Sequence, residues 1–165
     1  MEIDKARYRK HLNVVFAGIV VALVVISLLS STFLIHYFST PEASHFIHNL
    51  AGVFIGGMLV VLVLMRLRHH PFLTEVVYIW DLKQMLNRIY RKQRRLEAAV
   101  AENDPDAMMI MHFQYSGSMQ LYRLDDNTIT IDDLQLKIGA LAARMQQAGL
   151  DRSTDHFRPD MLDRF

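Results

Sequence analysis

Apolar side chains fill two long runs near the start of the chain, residues 12–35 and 46–65, and then give way to a mixed pattern that lasts to the end. As a helix rising about 1.5 Å per residue, each run is long enough to cross a hydrocarbon core about 30 Å thick. The ten residues between them, 36–45, contain Pro41 and no Lys or Arg. They predict a tight helical hairpin, with Pro41 discouraging helix at Thr40.

Beyond residue 65 the apolar positions fall in steps of three and four. Phe72, Ile79, Leu82, Leu86, Ile89, Leu96 and Val100 predict one long helix over 72–102, with Glu75 and Gln93 interrupting the same seam. Pro71 suits its first turn. Asp104 and Pro105 predict an N-cap and first position for a second helix over 105–123, with Asp106 complementing the dipole. That helix is rich in Met and aromatics on more than one side, which suits a central position and also an adaptable partner surface. Its Gly117 predicts a kink or a close crossing. After a loop over 124–129, the spacing Thr130…Asp133 resembles a capping box. Ile131, Leu134, Ile138, Leu141, Met145 and Ala148 then trace one face of a third helix to a stop at Gly149. Residues 150–165 are polar, with scattered apolar side chains, and are expected to be mobile.

The fold class predicted is therefore all-α: a transmembrane helical hairpin followed by a small three-helix domain whose first helix is long. Charge orients it. Lys5, Arg7, Arg9 and Lys10 precede the first run, and Arg66 and Arg68 follow the second. Basic residues at span ends stay on the cytoplasmic side, so both termini are expected there. The expected segments are 1–11 cytoplasmic, 12–35 and 46–65 transmembrane, 36–45 periplasmic, 66–149 a cytoplasmic helical domain and 150–165 a tail. A cleavable leader is not expected, because the first run is too long, lacks an A-x-A-like site and is soon followed by a second span.

Composition adds that 52% of the 165 residues are hydrophobic and 21% charged, so an apolar and a polar part share one short chain. There is no cysteine, which excludes disulfide and thiolate chemistry. Residues 66–102 carry eight Lys/Arg against four Asp/Glu, and residues 103–165 carry six against ten.

In an antiparallel hairpin, residues whose numbers sum to about 79 share a depth. Ala22 then falls near Gly57, Ser27 near Gly52, and Ser30 or Ser31 near His48 and Asn49. Gly52 with Gly56, and Gly18 with Ala22, form small-residue pairs suited to close helix packing within the hairpin or with a second copy. His36, His45 and His48 gather at the hairpin end beside Tyr37. They are candidate haem or metal ligands, set against a simpler reading as interfacial histidines with Asn49 bonded to a serine across the hairpin. Two helices alone cannot close a ligand pocket, so no cofactor is expected. Asp125, Asp126, Asp132 and Asp133 lack the spacing of a calcium loop and read as caps and loop bonds.

The candidate contact face is basic. Arg88, Arg91, Lys92, Arg94 and Arg95 fall within eight residues and suit the anionic membrane surface or another anion, set against a simpler reading as a solvated helix face. Nucleic acid is not expected, since no stacking platform accompanies the charge. No phosphate-cradling glycine loop, HExxH or nucleophile elbow is present, so no enzymatic activity is predicted.

Two stretches carry a resemblance. Residues 70–92, HPFLTEVVYIWDLKQMLNRIYRK, and 117–130, GSMQLYRLDDNTIT, resemble a family of short two-span inner-membrane proteins of gammaproteobacteria, a domain of unknown function. The likeness runs from the basic N-terminus to about Leu150. It implies the inner membrane and the same hairpin-plus-helices layout, and brings no activity, cofactor or catalytic residue. The function expected is a membrane-anchored interaction or scaffold module, contacting membrane lipids and a protein partner or a second copy at the cytoplasmic face. The alternatives are a small haem- or metal-binding redox component using the three histidines, or an accessory subunit of a transport complex.

Overall fold

A computed structural model describes residues 3–40, 44–127 and 129–165, and the described residues are helical with no strand. Pro41, on which the hairpin turn was argued, lies outside them. The chain divides into two compact units, Met1–Val77 and Tyr78–Phe165.

The first unit holds α1 (Lys5–Phe38), α2 (Phe46–Leu67), a 3-10 turn over Pro71–Leu73, and the start of α3 (Thr74–Tyr90). Asp4 caps α1, its side chain accepting from the Arg7 N–H at 2.9 Å, so the helix begins well before the apolar run. α1 and α2 pack on each other. Backbone proximity holds them. A Cβ on Gly52 would lie 2.8 Å from Ser31 N and 2.9 Å from Ser27 O, and one on Gly56 would lie 2.5 Å from Ser27 Oγ. The Ser31 hydroxyl donates to Asn49 Oδ1 across the hairpin. Gly57, expected opposite Ala22, has no atom within 4 Å of its Cβ position. Four residues separate Gly52 from Gly56, close to one helical turn, whereas Gly57 is rotated about 100° further round. Both helices turn large apolar groups outward, as with Phe16, Leu29 and Phe54.

The second unit completes α3 and adds α4 (Gln93–Ala101), α5 (Pro105–Leu124) and α6 (Ile131–Gln147), followed by 3-10 turns over Thr154–His156 and Pro159–Arg164. Here apolar groups point inward: Ile89, Leu96, Met108, Ile110 and Met145 are fully buried. The single helix expected over 72–102 is broken. Lys92 N bonds back to Ile89 O at 2.9 Å, a tightened three-residue step, and α4 restarts at Gln93. Ile89 and Leu96 are both in the core, and Arg91 stays outside.

α5 is central, flanked by α4, α6 and the two C-terminal turns. Asp104 caps it, accepting from Ala107 N at 3.0 Å, with Pro105 at its first position. α3 crosses it at Gly117, where a Cβ would lie 3.0 Å from Leu82 Cδ1 and 3.2 Å from Leu86 Cδ2. The helix runs unbroken there, and the glycine gives room for the crossing. Gly149, at φ 68°, ends α6 with Leu150 N bonded to Met145 O at 2.9 Å. Thr130 occupies the N-cap of α6 without a side-chain cap bond, so no capping box forms.

Residues 150–165, expected as a mobile tail, are packed against α5 instead. Met161 and Leu162 are buried, and Phe157 stacks on Phe113 with ring centroids 4.1 Å apart. Arg164 binds Asp104 at 2.9 Å and also pairs with Asp106. A polar segment with a few well-spaced apolar side chains gains enough burial to order once a groove receives them. The same segment covers the apolar surplus on α5 from which an adaptable partner surface was argued.

Candidate functional site

The histidines expected as a ligand set stand apart in their bonding. His36 meets Tyr37 edge-on at 4.9 Å between ring centroids, His45 Nδ1 lies 3.0 Å from Ser39 Oγ, and His48 Nδ1 is buried with no hydrogen bond. Among the described residues, no group of three or more His, Asp or Glu side chains is placed to hold a metal ion.

The opposite end of the hairpin carries an arrangement that helical periodicity does not anticipate. Glu75, read as a break in an apolar seam, is only 3% exposed. Buried carboxylates need partners. Arg7 supplies one, with Nε at 2.8 Å from Glu75 Oε1 and Nη2 bonded to the same oxygen. Oε2 accepts no hydrogen bond and lies 3.9 Å from His11 Nδ1, which is itself buried and unbonded. The His11 ring lies tilted against Phe72, with ring centroids 4.0 Å apart. The signal available in the sequence was the lone acid on an apolar face; its partner, 68 residues away, was not legible.

Beside this cluster lies an apolar cleft of about 340 Å³ lined by α1 and α2 and by His70, Phe72 and Leu73. Gly18 and Ala22, expected as a packing pair, line this cleft, and a Cβ on Gly18 would have no atom within 4 Å. Ser27, Gly52, Gly56 and Asn49 lie where the two helices touch.

In the second unit, the expected basic face surrounds a broad concavity of about 1170 Å³ at the α3–α4 break. Arg91, Lys92, Arg94 and Arg95 line it; Arg88, one turn earlier on α3, does not. Lys92 Nζ donates to Leu162 O at 2.6 Å, and Arg95 Nη1 to Phe165 O at 2.5 Å. The C-terminal segment thus forms one wall, which its polar sequence did not disclose. Deeper in the unit, His112 is buried and its Nδ1 has no hydrogen bond. Burial, with a smaller contribution from Arg152, holds its pKa below the ordinary histidine value. Burial raises the Tyr115 pKa in the same way.

These features define an all-helical protein with two helices long and apolar enough to cross a membrane and a separate small helical unit with a basic concavity. The chain belongs to the family described as a protein of unknown function, DUF3087, whose profile matches residues 1–162. No curated protein and no solved structure matches it.

Proposed function

We propose that the chain is a two-pass inner-membrane protein with both termini in the cytoplasm, and that its helical unit is a non-catalytic interaction module for a protein partner or a second copy. The observation that carries the membrane part is the outward apolar surface of the hairpin. Phe16, Leu29, Phe54 and Met65 are each at least 60% exposed, a pattern that water penalises and lipid accepts. Basic residues at the ends of α1 and α2 away from the hairpin turn support the orientation. The interaction part is supported by Trp80 and Leu136, at 64% and 75% exposure, on a unit whose other large apolar groups are mostly buried.

The absence of native cysteine makes the topology directly testable. Ser39→Cys should react with a membrane-impermeant maleimide in intact cells, and Ser153→Cys only after lysis; the reverse pattern would overturn the orientation. Crosslinking in native membranes followed by purification tests the module. A specific partner or a homodimer is the expected result, and a monomer with nothing attached would remove the interaction reading.

A further inference from the structure

We infer that the concavity at the α3–α4 break binds a phosphate-bearing anion, with Arg91 and Arg94 as its direct ligands. Four cationic side chains line it, against two carboxylate side chains, Glu97 and Asp163, with the chain's last residue, Phe165, beside them. Glu97 already accepts a hydrogen bond from Gln93 Nε2 at 2.7 Å. Lys92 is held in position by the Leu162 main-chain carbonyl, a neutral acceptor, and Arg95 by an oxygen of Phe165, the last residue of the chain. Arg91 and Arg94 are exposed, and their side chains form no hydrogen bond or ion pair among the described residues.

Electrostatics of the fold makes this gathering costly without an anion. The helix break places the cations at the start of α4, where the helix dipole is already positive. Its first turn holds no acid, and the Lys92 side chain makes no capping bond. An isolated helix would prefer Asp or Glu there. An anion in the concavity would meet the dipole and the guanidinium forks together, and planar forks match phosphate oxygens in pairs. The Tyr90 ring, 68% exposed, stands at the rim. The phosphate can belong to a lipid headgroup or to a free phosphate compound, and only the lipid source rests on the membrane reading above.

The test uses the full chain in nanodiscs. In discs of phosphatidylcholine alone, inorganic pyrophosphate is titrated by calorimetry; in discs containing phosphatidylglycerol, retained lipid is counted by native mass spectrometry. Pyrophosphate binding that weakens at least tenfold in Arg91→Gln/Arg94→Gln, and not in Arg88→Gln, supports the site and points to a free ligand. Loss of retained phosphatidylglycerol in the same double variant, without pyrophosphate binding, supports the site and assigns the headgroup. Equal behaviour of wild type and double variant in both arms would overturn the inference. Arg94→Glu supplies an independent check, because it satisfies the dipole: it should melt at a higher temperature than wild type while losing the anion. A lower melting temperature would show that the arginine serves the fold, and would also overturn it. Extraction of the protein without detergent would sink the membrane reading and leave the pyrophosphate arm standing.

Discussion

The two units are built from similar helices and hold together by opposite means. In the second, apolar side chains turn inward, and burial of groups such as Ile89, Leu96 and Met145 supplies the cohesion. In the first, most large apolar groups face outward, and the helices meet at Gly52, Gly56, Ser27 and Ser31, with a serine–asparagine bond added. Helix contact through small residues is what lipid requires, since apolar surface gains nothing there by leaving one hydrocarbon for another. Hydrophobicity alone therefore does not say how a helix packs; the position of its smallest residues does.

Truncation should separate the two modes most sharply. Leu96→Ala in the second unit is expected to lower stability by about 2–5 kcal/mol, because Leu96 is fully buried and the cavity cannot collapse completely. Leu29→Ala removes the same atoms from a side chain 67% exposed on α1 and should leave unfolding almost unchanged. Thermal and denaturant unfolding of the purified chain, followed by circular dichroism, checks both; equal losses would erase the contrast.

The Arg7–Glu75 pair should show an asymmetry within the first unit. Arg7→Ala strands a carboxylate whose side chain is 4% exposed and should clearly lower stability. Glu75→Gln leaves a guanidinium 61% exposed, which water can solvate, and should cost clearly less. Unfolding in a sodium dodecyl sulfate titration ranks the two variants, and a reversed order would show that the pair is not what sets the cost.

A smaller effect is expected at Asp104, which caps α5 and binds Arg164. Asp104→Ala should cost about 1 kcal/mol and loosen residues 150–165, visible as faster amide exchange there. The smallest is a pH slope. Burial holds the His112 pKa below its ordinary value, so the unfolded chain takes up the proton first as pH falls. Stability should be full above about pH 6.5 and decline as pH drops towards the folded value, a decline that His112→Gln would flatten.

Local signals were legible in the sequence. Asp104 and Pro105 announced the start of α5, Gly149 announced the end of α6, and the seam from Ile79 to Leu96 picked out core positions, because each depends on neighbours within a turn or two. The larger failures are non-local, although the missing capping box at Thr130 is a local one. The ordering of the C-terminal segment and the Arg7–Glu75 pair each depend on residues far along the chain that share no periodic pattern with the site they meet. For the basic concavity, the charges were visible in advance, but the wall formed by Asp163 and Phe165 was not.

The bond between Arg7 and Glu75 also has a meaning in time. A ribosome delivers Arg7 early and Glu75 only after both apolar helices have been made, so the arginine waits for its counter-ion through the whole of hairpin synthesis. The hairpin can form earlier at its glycines, but this latch engages only when the chain has emerged past α2 and turned through Pro71–Leu73. A nascent chain stalled before residue 75 would hold the two helices without that fastening.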